Sequence, residues 1–295
     1  WQAMVKKPEL IILDEVQKIP SLLDLVHRMI EDHKQKFILS GSSARKLKRG
    51  VSNLLAGRAF VYHLYPLTSK ELAEVFSLDH ALNWGTLPKL QDFIDPLNKR
   101  EFLKAYANTY LWEEILVEQI IRKLEPFQRF LPVAAQMAGR IINYSKIALE
   151  AGTSVPTIQS YFQILEDTLL GFMLPQFHES IRKRQKAAPK FYFIDSGIQR
   201  ALLDELSIAV RPKTYQFGCA FEQFVINELV REISYGRRDY RLSYLQTGAG
   251  LEIDLVVERP GMKRALIEIK SNAMITEKDL SALLTLGKDV PNSER

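Results

Sequence analysis

The sequence predicts an α/β chain built from several units, and three observations predict it. Leu10-Ile11-Ile12-Leu13 is an unbroken aliphatic run that meets two carboxylates, Asp14 and Glu15, at its end. Such a run suits a strand covered on both faces, as in a parallel sheet. Phe37-Ile38-Leu39 repeats the pattern after a stretch with helical spacing, which makes a strand–helix–strand unit. Far down the chain, Leu251–Val257 and Ala265–Lys270 flank the five-residue segment Arg259-Pro260-Gly261-Met262-Lys263, which predicts a hairpin.

Composition bounds the function classes. A chain of 295 residues has room for roughly two domains. Its 46% hydrophobic and 25% charged content fits a globular protein with real cores. The net charge of +5 is compatible with a nucleic-acid partner but names no site. Cys219 stands alone, so no internal disulfide framework forms and a reducing cytoplasm is expected. No apolar run approaches the ~18 residues of a membrane span, and no membrane partner is expected. No signal peptide is visible.

Taken in order, the first strand ends at Asp14 and Glu15. In parallel sheets ligands collect outside the carboxyl ends of strands. An Asp there can hold Mg²⁺ beside a nucleotide, and a neighbouring Glu can polarise the attacking water. The plainer alternative is that the pair starts a turn or caps the next helix. Ser21–Glu31 carries Leu22, Leu25, Val26 and Met29 at helical spacing. The second apolar run ends in Ser40-Gly41-Ser42-Ser43, and Leu55-Ala56-Gly57-Arg58 and Tyr65-Pro66-Leu67 follow.

These segments resemble the prokaryotic AAA+ ATPases that carry a winged helix and a nuclease-like C-terminal domain of unclear role. LIILDEVQKIP looks like their Walker B segment, and FILSGSS looks like their sensor strand with Ser42 nearest the sensor position. Arg58 of LAGR matches a family arginine with the place of a finger. The resemblance implies ATP and Mg²⁺ as cofactors, with Asp14 and Ser42 at the nucleotide, Asp14 on the metal, and Glu15 and Arg58 in catalysis. One departure stands out. The family has a Gly-rich phosphate loop upstream, whereas this chain starts at Trp1 and contains no G-x-x-x-x-G-K-[ST]. That loop and its Lys cradle the phosphates. The expectation is therefore a fragment, or a processed or divergent protein, that does not turn over ATP unaided. The full-length protein is expected to do so.

The expected boundaries are 1–75 for the C-terminal part of the AAA+ core and 76–126 for a helical lid or connector. A winged helix at 127–195 and a PD-(D/E)xK nuclease-like domain at 196–295 complete the α/β architecture. Arg100–Lys123 reads as a long helix, with Glu113 and Glu114 on a solvated face. Tyr144–Ala151 reads as a helix ending at Gly152. Ser154 can cap a second helix with Ile158, Phe162 and Leu165 inward. Helix, Gly turn, helix is a helix-turn-helix layout, and strands at Phe172–Phe177 and Lys190–Ile194 would make the wing. The second helix has no Lys or Arg between Ser154 and Thr168, whereas the wing carries Arg182, Lys183, Arg184 and Lys186. DNA contact would therefore run through wing and phosphate. Packing against protein is the alternative, and a homo-oligomer is open.

In the last third, Gly218–Glu232 reads as a helix with Phe221, Phe224, Val225 and Leu229 inward and Glu222 on its surface. Asp254 followed by Glu268-Ile269-Lys270 resembles the D…ExK pattern of the restriction-endonuclease-like fold. The resemblance implies Glu222, Asp254 and Glu268 as metal ligands and Lys270 on the attacking water or the scissile phosphate. A turn centred on Gly261 sets Val256 opposite Leu266 and Asp254 opposite Glu268, with Lys270 beside Glu252. The alternatives are an ordinary charged sheet edge, or a degenerate nuclease fold that serves as a DNA- or protein-binding scaffold. His63 and His178 have no metal-ligand spacing and read as structural.

Overall fold

The computed structural model describes residues 8–41, 59–110, 124–180, 182, 184, 187–248, 250–272, 274–277 and 279–295. Ser42, Arg58, Lys183 and Lys186, like Glu113 and Glu114, lie outside the described residues. The chain divides into two compact units, residues 1–63 with 164–169, and residues 64–163 with 170–295.

In the first unit, β1 (Leu10–Leu13) and β2 (Lys36–Leu39) pair in parallel, Leu13 beside Leu39. α1 (Leu22–His33) joins them and stops at Lys34, whose left-handed backbone ends the helix. This is the strand–helix–strand unit expected from the apolar runs. Leu13, Phe37 and Leu39 pack with Val16, Leu23 and Val26. The expected cover on both faces is not met among the described residues, because Leu10, Ile12 and Ile38 are exposed. Leu23 faces the core and Leu25 does not.

The second unit opens with α2 (Ser69–Leu72), closed by a capping box between Thr68 and Glu71. α3 (Leu78–Trp84) and α4 (Pro96–Ala105) follow. The long helix expected from Arg100 begins earlier, at Pro96, and gives way to a π turn at Tyr106–Tyr110. α5 (Leu124–Gln136), α6 (Tyr144–Ala151) and α7 (Val155–Asp167) come next. α6 ends at Gly152 with φ 64°, a left-handed position that glycine takes without strain. Phe127, Phe130, Tyr161 and Phe162 interlock as an aromatic core with ring centroids 4.9–5.6 Å apart. Ile158, Phe162 and Leu165 are buried, as their spacing predicts.

An antiparallel ribbon of β3 (Gly171–Leu174) and β4 (Lys190–Phe193) leads into α8 (Ser196–Leu202) and the long α9 (Tyr215–Tyr235). The sheet that follows has the order β5 (Arg241–Gln246), β6 (Glu252–Glu258), β7 (Arg264–Ile267), β8 (Ser293–Glu294), with α10 (Ser281–Leu286) packed on β6. The ribbon joins this sheet's core, because Leu174 and Tyr192 pack with Ile226, Tyr244 and Leu255. The opposite layer holds Ile253, Val256 and Leu266 with Phe177, Leu283 and Leu286.

α9 differs from its sequence reading. The expected apolar stripe is only partly buried, and the fully buried positions are Gln223, Ile226, Asn227 and Arg231. The physical reason is the backbone they meet. Asn227 donates to the Phe193 carbonyl at 3.0 Å, and Arg231 donates to the Ile194 and Leu67 carbonyls at 2.7 and 3.0 Å. Carbonyls at the end of a strand need donors once water is excluded. Asp195 does the complementary job: its buried carboxylate accepts from the amides of Thr86, Gly197 and Ile198 and so caps α8. Among the described residues, no helix is long and apolar enough to cross a membrane.

Candidate functional site

Two groups of carboxylates stand at strand ends. In the first unit Asp14 follows β1 directly and is exposed. Glu15 has φ 54° and ψ 42°, a left-handed backbone uncommon for a residue with a side chain. Two backbone bonds tie this turn to the end of β2, Ser40 N–H to the Leu13 carbonyl at 2.9 Å and Val16 N–H to the Ser40 carbonyl at 3.0 Å. The Ser40 hydroxyl donates to Asp14 Oδ1 and accepts from the Glu15 amide. Ser40 thus holds both acidic residues, a role the sequence reading did not give it. A hydroxyl two residues before the expected sensor position was the available signal.

The second group is assembled from four segments of the second unit. β6 and β7 pair with Val256 opposite Leu266 and Leu255 opposite Ile267. The turn is therefore centred on Gly261, which has φ 74°, and the register sets Asp254 across from Glu268 as expected. β7 ends at Ile267 rather than at Lys270. The reason is the Asp254 side chain, whose Oδ2 accepts the Ile269 amide at 2.6 Å in place of a ladder carbonyl. Against β5 the register slips between the pairs Ser243–Val256 and Leu245–Ile253, so Asp254 and Leu255 form a bulge opposite Tyr244. Ile253 and Leu255, two residues apart, accordingly lie in different core layers. Bulges of this kind re-aim side chains beside functional sites.

Glu222 projects from α9 toward the ribbon instead of lying free on the surface. Its Oε1 accepts from the Tyr192 hydroxyl at 2.7 Å and lies 3.6 Å from the Lys190 ammonium. Lys190 also donates to Glu252 Oε1, and Gln246 donates to Glu252 Oε2 at 3.1 Å. Lys270 donates to Glu268 Oε1 at 2.6 Å. Four carboxyl groups and two ammonium groups thus share one cluster. Lys190 counted among the basic residues of the wing segment on sequence, yet its side chain is 4% exposed. Lys190, Tyr192 and Glu252 are the members that sequence reasoning missed.

Burial governs the protonation of this cluster. It pushes the Asp254, Glu222 and Glu268 carboxyls up from the usual carboxylate range. The Ile269 amide works against this at Asp254, Lys190 at Glu222 and Lys270 at Glu268. Burial by itself would lower Lys190, but Glu222 and Glu252 outweigh it and raise the group above the ordinary lysine value. The Lys270 ammonium is raised in the same way by Glu268. Beside the cluster lies a cavity of about 880 Å³ lined by Lys190, Tyr192, Glu222 and Glu252 together with Arg140 and Tyr215.

The basic segment between β3 and β4 is divided. Arg182 is exposed. Arg184 is engaged within the protein, 2.9 Å from Glu258 and donating to the His178 carbonyl at 3.0 Å. Among the described residues, no group of three or more His, Cys, Asp or Glu side chains is placed to hold a metal ion.

Comparison with known proteins agrees with the division of the chain. Residues 1–73 match an AAA domain. The chain therefore carries an AAA-family segment at its N-terminal end. Residues 75–207 match a domain of unknown function (DUF8612), and residues 217–295 match another (DUF4143). An uncharacterized protein of Mycobacterium tuberculosis is 26% identical over 284 residues, covering 94% of this chain and 62% of the relative. An uncharacterized protein of Mycobacterium bovis matches to the same extent. An uncharacterized protein of Haemophilus influenzae is 22% identical over 236 residues, 75% of this chain and 57% of the relative. The chain spans about three fifths of the length of these relatives. No solved structure matches it.

Proposed function

We propose that the chain is the larger part of an ATP-driven AAA+ protein of the cytoplasm whose C-terminal unit is directed to nucleic acid. The observation that carries the nucleotide reading is the fixed position of Asp14. It leaves the carboxyl end of a parallel strand, is exposed to a ligand, and takes a hydrogen bond from Ser40 on the adjacent strand. The match of residues 1–73 to an AAA domain supports it. Asp14 would hold the Mg²⁺ of MgATP, which supplies the phosphoanhydride bond. Glu15 would orient the water, with Ser42 at the sensor position and Arg58 as the finger. The test is nucleotide binding and turnover in the longest natural chain that contains this sequence. Glu15→Gln should bind ATP and fail to turn it over, and undiminished turnover would overturn the assignment.

For the C-terminal unit, the restriction-endonuclease-like reading rests on Asp254 and Glu268 set across one hairpin with Lys270 beside them. Metal ligation by Glu222, Asp254 and Glu268 belongs to that reading, and so does DNA contact through Arg182, Lys183 and Lys186 on a winged helix. A second reading, a nuclease-like fold that binds without cutting, is favoured by the buried ammonium of Lys190 inside the cluster. DNA affinity measured beside cleavage in Mg²⁺ and Mn²⁺ separates the two. Cleavage lost in Asp254→Ala and in Lys270→Ala supports the first, and affinity without cleavage supports the second.

A further inference from the structure

A nuclease-like site needs free carboxylate lone pairs for its metal. Here most of them are already taken by donors of the chain itself. Glu252 uses one oxygen for Lys190 and the other for Gln246. Asp254 Oδ2 holds the Ile269 amide, and Glu268 Oε1 holds Lys270. Glu222 Oε1 is shared by the Tyr192 hydroxyl and the Lys190 ammonium.

Lys190 is central to this arrangement. It opens β4 with its side chain 4% exposed and its ammonium 5.4 Å above the ring of Tyr244. Tyr192 lies two residues along the same strand, so one face of β4 delivers a cation and a hydroxyl to one oxygen of Glu222. A buried ammonium persists only where carboxylates surround it, and Glu222 and Glu252 do so here. One acceptor in the cluster is left over: Glu268 Oε2 is buried and has no hydrogen-bond partner, with the side chain only 6% exposed. A donor set with one unused, buried carboxylate oxygen and an ammonium in its midst is a cation site whose cation is covalently attached.

We propose that Lys190 is the resident cation of the carboxylate cluster, and that a hard divalent cation enters among Glu222, Asp254 and Glu268 only when the Lys190 ammonium is withdrawn or removed. The proposal rests on the nuclease-like reading of this unit and reverses its usual order, with metal uptake gated by a strand from outside the D…ExK hairpin. The ammonium and a divalent ion satisfy the same lone pairs, so they exclude one another.

The test is a Mn²⁺ titration of the whole chain by electron paramagnetic resonance, with Asp14→Asn present throughout to silence the other carboxylate. With Lys190 in place, the chain should bind no Mn²⁺ below about 1 mM, the weak end of protein sites for hard cations. Lys190→Gln should gain one Mn²⁺ site at least about tenfold tighter, a change of about 1.4 kcal/mol, and Asp254→Asn added to it should remove that site. Lys190→Met, which keeps the side chain's length, is the second variant. If either folds poorly, refolding in Mn²⁺ becomes the readout, with recovery supporting the proposal and no recovery overturning it. A Mn²⁺ site in the Lys190-containing chain that Asp254→Asn abolishes and Lys190→Gln leaves unchanged overturns the proposal and keeps the nuclease-like reading. Folded Lys190 variants that gain no Mn²⁺ overturn both.

Discussion

The two acidic sites differ in where their positive charge comes from. Asp14 is exposed on a two-stranded parallel sheet, and a neutral hydroxyl from Ser40 is what positions it. Asp254, Glu268 and Glu222 are drawn into a second unit where Lys190 and Lys270 are built in beside them. A carboxylate at the surface stays charged and ready for an external cation. Carboxylates that are buried together must either take up protons or be matched by internal cations. The first arrangement suits a nucleotide that brings its own metal. The second suits a surface whose charge is settled within the fold.

The largest effect expected from this contrast is catalytic. In the longest natural chain containing this sequence, Glu15→Gln should leave ATP binding intact and lower turnover by about 10²-fold or more. Steady-state hydrolysis with a nucleotide-binding titration checks it, and an equal loss of binding would place Glu15 in a structural role. Next comes stability. Lys190→Ala strands buried carboxylates and should cost about 3 kcal/mol, whereas Asp14→Ala should stay within about 0.5 kcal/mol. Urea unfolding of the two variants measures both, and equal costs would erase the distinction between the sites.

A smaller effect is expected on DNA. Replacing Arg182, Lys183 and Lys186 together by Ala should weaken binding about equally for all sequences. The salt dependence should flatten by about one power for each phosphate that is no longer neutralised. Arg184→Ala should instead act on stability, because Arg184 is paired with Glu258. An unchanged salt slope in the triple variant would assign this segment to protein packing.

The smallest effect is the dependence on pH. Burial raises Asp254 in the folded chain above its unfolded value. A group raised in this way contributes stability below the unfolded value, and that contribution is lost as pH rises through the folded value. Asp254→Asn keeps an acceptor for the Ile269 amide but cannot ionise. Its melting temperature should match the parent near pH ~3.5 and exceed it at pH ~8 by about 2–4 °C. A variant that melts lower at the higher pH would mean that the charge of Asp254 is favourable where it sits.

Local patterns were legible in the sequence and long-range ones were not. The β1–α1–β2 unit followed from two apolar runs and a helical spacing, and the observed parallel pairing agrees. Gly261 fixed the hairpin centre, so the register that sets Asp254 across from Glu268 was readable in advance. The bulge at Asp254–Leu255 was not, since it depends on how β5 meets β6. Lys190 read as one more wing cation because its partners Glu222 and Glu252 are 32 and 62 residues away. α9 misled for a related reason: Gln223, Asn227 and Arg231 are polar, and α9 buries polar residues where strand-end carbonyls need donors.

The most direct test of the central contrast is a crystal of the chain grown in Mn²⁺ and measured at a wavelength where manganese scatters anomalously. The prediction is no anomalous peak among Glu222, Asp254 and Glu268, with the Lys190 ammonium bonded to Glu252. A manganese peak bounded by those carboxylates, with Lys190 turned away from them, would contradict the account.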